Sequence, residues 1–109
     1  AELHRSNLSR AILKGANLSK GDFGRSVFDG ADLTGAVLRH SNLARASFAG
    51  AKLSGADLAK ARTFGARFAG TDLSGVKGLT QEQLDVACGD AKTKLPAGLK
   101  APASWPCAQ

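Results

Sequence analysis

From Ala1 to Gly75 a large apolar residue returns at every fifth position, a small one precedes it by two, and polar residues fill most of the rest. Cut into fives, the chain reads AELHR SNLSR AILKG ANLSK GDFGR SVFDG ADLTG AVLRH SNLAR ASFAG AKLSG ADLAK ARTFG ARFAG TDLSG. The third position is Leu or Phe in fourteen of these fifteen blocks, Thr63 being the exception, and the first is always Ala, Ser, Gly or Thr. Neither common element repeats in fives: a strand alternates every two residues and a helix every 3.6. One large and one small inward residue per five predict a short extended stretch followed by a turn. The large side chain fills a centre and the small one lets the backbone pass a corner. Three such sides would close a coil of fifteen residues and four a coil of twenty; the five-residue unit fits both. Stacked coils would pair as neighbouring strands do, about 4.8 Å apart, around a column of Leu and Phe.

The blocks ANLSK, ADLTG, SNLAR and ADLAK are similar to the unit of the pentapeptide-repeat family, A(D/N)LXX, and the resemblance runs from residue 1 to about 78. It implies an all-β solenoid, a right-handed quadrilateral β-helix of just under four coils, and so a period of twenty. At that period Leu8, Phe28, Phe48 and Phe68 form one core ladder. Leu13, Leu33, Leu53 and Leu73 form the next, then Leu18, Leu38 and Leu58, then Leu3, Phe23, Leu43 and Thr63. Glycine gathers at Gly15, Gly35, Gly55 and Gly75 and at Gly30, Gly50 and Gly70, where corners call for unusual φ. In ARTFG, either the register slips locally or, as preferred because ARFAG resumes in phase, Thr63 points inward and Phe64 outward, as a docking point for the tail or, alternatively, a binding hot spot.

Residues 79–109 lack the repeat and read as a cap belonging to the same structural domain. Stacked strands end in unpaired edges that need cover. Thr80 and Gln83 stand at capping-box spacing, with Leu79 placed to staple onto Leu84. They predict a helix over about 81–88 with Leu84, Ala87 and Cys88 on one side and Gly89 at its end. A Pro-containing extended wrap follows, with Leu95 and Trp105 sealing apolar surface. Similar helical tails are familiar from bacterial members of the family. Cys88 and Cys107 are the only cysteines; with no His in this segment they are expected to bond to each other rather than hold a metal. A disulfide points to a periplasmic or secreted protein, and two free thiols would point to a cytoplasmic one. The start at Ala1-Glu2 fits either a mature product or a fragment. The N-terminal end has no comparable cap, so a monomer, or a dimer through that end, is expected.

Composition narrows the function more by exclusion than by indication. No apolar run approaches the length of a membrane span, and six aromatics with no Tyr or Met suit neither base stacking nor hydrophobic peptide clamping. Two histidines and sparse carboxylates offer no catalytic constellation. No enzyme activity, small-molecule substrate, cofactor or metal is expected. The formal charge is +6, and all the excess lies in residues 1–78, with twelve basic residues against six acidic. At steps of twenty, Arg5, Arg25 and Arg45 make one column and Lys20, His40 and Lys60 another. On a fourfold coil they flank one side, which also carries Arg62. This basic face is the candidate contact surface of a non-catalytic scaffold, for an acidic protein or an anionic polymer; sequence-specific nucleic-acid reading is not expected. The plainer reading is that corners are simply solvated by charge, in a purely structural protein. A third follows from the resemblance: some family members bind topoisomerases by imitating DNA, a role that the positive charge here opposes.

Overall fold

The computed structural model describes residues 5–103 and 105. Parallel bridges pair Asn7 with Val27, Ile12 with Asp32, Asn17 with Val37 and Asp22 with Asn42, and the same offset of twenty recurs up to Asp57 with Lys77. With sides of five residues, an offset of twenty means four sides per coil, and the threefold alternative is excluded. Each side closes through a turn in which a first-position N–H donates to the carbonyl three residues back, as Ala31 does to Phe28 at 2.9 Å and Ala36 to Leu33 at 2.9 Å. Between coils, Leu33 N–H donates to Lys52 O at 2.8 Å and Asp32 N–H to Ala11 O at 2.9 Å. The ladder therefore uses backbone groups on both edges of every side.

Side-chain chemistry explains the rest of the unit. An Asp or Asn at the second position accepts the N–H two residues on, as Asp32 does from Thr34 at 3.1 Å and Asn42 from Ala44 at 3.1 Å. This bond pre-forms the turn. Third positions fill the interior: Phe28, Phe48 and Phe68 are fully buried, with ring centroids 5.0 and 5.3 Å apart along the ladder. Phe23 meets Phe28 edge-on at 5.6 Å, and a Cβ on Gly21 would lie 2.4 Å from its ring, so glycine is required there. Buried hydroxyls at first positions are satisfied, Ser41 donating to Leu38 O and Thr71 to Phe48 O. Leu8, Leu13 and Leu18 in the first described coil are only partly buried.

The cap continues the ladder with a slipped count. Arg67 pairs with Cys88 and Asp72 with Lys94, offsets of twenty-one and twenty-two in place of twenty. The first extra residue lies in the stretch that holds α1, Gln81–Asp85, and the second falls between Cys88 and Lys94. Its capping box forms as expected: Thr80 accepts from the Gln83 N–H, and the Gln83 side chain accepts from Thr80 N–H. The helix ends three residues earlier than expected, with Val86 as its C-cap. The cause is tertiary, because Val86 O accepts from Gly65 N–H and Cys88 N–H donates to Ala66 O, both at 2.7 Å. The chain must be extended there to serve the solenoid edge. Gly89 is not the helix stop; it is the seat of Trp105, whose ring would lie 2.4 Å from a Cβ. The indole N–H donates to Ala87 O at 2.8 Å, and Leu95 also packs partly buried on the core.

Thr63 points inward, 2 % exposed, and donates to Gln83 O at 2.8 Å. That side is covered by α1 instead of a further coil, so a hydroxyl there finds a carbonyl. Phe64 points outward, and the described residues of the tail leave it open. It is 58 % exposed, and the Arg45 guanidinium lies over its ring at 5.7 Å.

Candidate anion-binding face

The corners carry the candidate basic side chains, and their backbone is demanding. Fifth-position residues up to Gly70 have φ between +58° and +72°, the third residue of a turn whose second residue is not left-handed, as in a type II turn. Glycine meets this without strain, whereas an L side chain there costs on the order of 1 kcal/mol. The four corners divide sharply. One is glycine throughout, Gly15, Gly35 and Gly55; a second has Gly30, Gly50 and Gly70 after Arg10. The other two hold Arg5, Arg25 and Arg45, and Lys20, His40 and Lys60, all at φ of +58° to +62°. Asn or Asp would be the usual non-glycine choice at positive φ. Here every one is a base.

All six corner bases are exposed. The arginine column forms a rib between two depressions. One, of about 580 Å³, has Val27 and Ser47 on its floor and Arg67, Phe64 and Cys88 toward the capped end. The other, of about 330 Å³, runs past Gly24 and Ala44 to Asp22 and Asn42. Lys20 and His40 line neither, and Lys60 lines a separate hollow beside α1 with Thr80 and Glu82. Arg62 is exposed on the intervening side, where Asp22 also lies. The grooves therefore follow the arginine corner. Arg67 and Phe64 join that corner, and neither was in the basic face expected from spacing. The signal was present: Val27 and Ser47, short residues at second positions, leave the floor low between longer ones.

Among the described residues the only ion pair is Arg39–Asp57, at 3.2 Å. The carboxylates are used locally instead. Thr34, donating hydroxyl and amide to Asp32, holds that carboxyl below its ordinary range, and Ser74 does the same for Asp72. Asp57 is lowered by the Ala59 amide and then by Arg39. Asp90 is lowered first by the Gly70 amide. Asp22 accepts from Gly24 N–H and the Asn42 amide, both at 3.1 Å. Among the described residues no group of three or more His, Cys, Asp or Glu is placed to hold a metal ion, and no helix is long and apolar enough to cross a membrane. Cys88 is disulfide-bonded; Cys107 lies outside the described residues.

Coils of five-residue sides with a filled interior define a repeat-built β-solenoid. The chain belongs to the pentapeptide repeat family, whose repeat-region profile matches residues 1–77, and whose members form right-handed β-helices. It is similar to alr5209, a pentapeptide repeat protein from Nostoc PCC 7120, with 33 % identity over 89 % of this chain and 78 % of that one, at a TM-score of 0.76. It also resembles AT2G44920, a pentapeptide repeat protein of the Arabidopsis thaliana thylakoid lumen, with 23 % identity and a TM-score of 0.68. That likeness covers 82 % of this chain and 63 % of the other. No curated protein gives a significant match.

Proposed function

We propose that the protein is a rigid, non-catalytic interaction module of just under four quadrilateral coils that binds an acidic partner through its basic corners. One observation carries the reading: basic side chains hold positive φ at two neighbouring corners, and at Arg10 on a third, where glycine, used at the remaining positions, is free of strain. Backbone strain retained at a surface position is a mark of function, and here it comes with one sign of charge. Exposed corner guanidiniums that make no ion pair among the described residues suit carboxylate or phosphate groups. The positive charge of +6 opposes imitation of DNA. We further propose that Cys88 bonds to Cys107 and that the protein works in an oxidising compartment, periplasmic or extracellular.

Poly-L-glutamate is a suitable probe, titrated against the wild type and a variant with Lys20, Arg25, Arg45 and Lys60 changed to Gly. Glycine keeps the corner conformation while removing charge. Binding that weakens with salt, and falls about tenfold or more in the variant, is the expected result for an electrostatic face. Equal binding by both proteins would assign the corners a purely structural role.

A further inference from the structure

We infer that the groove beside the arginine corner receives a helical segment of a protein partner, aligned along the solenoid axis and presenting an acidic stripe. The inference rests on the anion-binding reading above and adds the partner's geometry. Arg5, Arg25 and Arg45 issue from one corner of three successive coils. Rows lie about 4.8 Å apart, so Arg5 to Arg45 spans about 9.6 Å. Acidic residues at i, i+4 and i+7 of a helix span about 10.5 Å, at about 1.5 Å per residue. The two repeats agree to about 1 Å over the column. Three same-face carboxylates on an extended strand need about 13.4 Å, most of a row too long. Helical spacing is the better match.

The fourth row supplies an end to the stripe. The column does not continue there as arginine: Gly65 takes the corner, and a Cβ on it would lie 3.1 Å from Arg45 Cγ. Arg45 uses the space, its stem passing over Gly65 and its guanidinium over Phe64. Phe64 leaves 58 % of its surface open at the end of the groove. One more row brings the distance from Arg5 to about 14.4 Å, close to the rise from i to i+10 or i+11 of a helix, about 15–16.5 Å. An apolar residue there would meet the ring after the three acids have met the arginines. The partner is thus read as acid–acid–acid–apolar along one helix face. Its carboxylates need displace no existing ion pair, since Arg5, Arg25 and Arg45 make none among the described residues.

The test uses the full disulfide-bonded chain and fluorescence anisotropy with three labelled probes. The first is a hydrocarbon-stapled helical peptide with Glu at i, i+4 and i+7 and Leu at i+11. The second has the same composition and staple with the Glu residues spread around the helix. The third is inorganic polyphosphate. The aligned peptide should bind about tenfold tighter than the scattered one, as aligned charge-assisted pairs would. Changing both Arg25 and Arg45 to Gly should remove that advantage, and Phe64→Ala should weaken the aligned peptide a few-fold, on the order of one buried apolar contact. Arg10→Gly, at another corner, should change nothing. Equal affinity for both peptides, or binding of polyphosphate alone, would overturn the helical register and leave anion binding standing. Failure of all three probes to bind would overturn both.

Discussion

The repeat and the cap answer one backbone requirement by different means. Inside the repeat each edge group is met by its equivalent a coil away, Leu43 N–H by Arg62 O and Arg62 N–H by Ser41 O. At the cap, part of the ladder continues through backbone groups and side chains meet the rest. Gln83 donates to Leu58 O and Ala61 O, at 2.8 and 3.0 Å, Thr93 to Phe68 O at 2.8 Å, and the Asp90 carboxylate accepts from Gly70 N–H at 3.1 Å. A ladder built of backbone alone offers the next copy a template. One ended by amide, hydroxyl and carboxylate groups fixed in place does not. Periodic structure, then, comes from repetition of a pattern, and its termination from particular residues that occur once.

That contrast can be broken from either side. Phe48→Ala removes the middle ring of the stacked ladder and should cost about 3–5 kcal/mol, the loss of a fully buried aromatic with a cavity left behind; chemical denaturation would measure it. Gln83→Ala should cost less, about 1–3 kcal/mol, because Ala61 O loses its donor and Leu58 O keeps only the Ala61 N–H. Its signature is local: faster amide exchange around the last coil, with the first coils little changed. If exchange accelerates uniformly, the cap is part of one cooperative unit and the division fails. Arg25→Gly should go the other way, stabilising by up to about 1 kcal/mol as the strained corner relaxes, less the entropy cost of glycine. The smallest effect expected is on acidification. Asp32, Asp57, Asp72 and Asp90 all have lowered folded-state values. Their contribution is therefore present above the ordinary carboxylate range near about 4 and is lost as pH falls through the folded values. Melting temperature followed from neutral pH to below 4 should stay level and then drop, and Asp90→Asn should soften the drop at the cap first.

The body of the fold could be read from residues because its rule is local and repeated. Phe28, Phe48 and Phe68 share one phase of twenty, and inward Thr63 follows from unbroken phase on either side. What Thr63 bonds to could not be read so, since Gln83 reaches it through a cap of different period. The helix length failed for the same reason: local capping chemistry starts α1 at Gln81, but the edge demand of Ala66 stops it. At the site, spacing placed the two basic columns on corners. It did not show that Arg, Lys and His hold positive φ there, because only glycine announces that conformation in a sequence. Nor did it show that Arg45 would reach over Phe64, an encounter set by the room left above Gly65.

The offset of twenty also makes the coil behave like a gear. An insertion of five residues keeps every inward and outward assignment but turns all that follows by a quarter revolution. Arg45 would then leave the file of Arg5 and Arg25 and come to stand above a glycine corner, while the core stayed filled. An insertion of twenty restores alignment and lengthens the file by one tooth. The length and straightness of the charged edge can thus be altered by duplication alone, the interior changing only in which Leu or Phe stands over which.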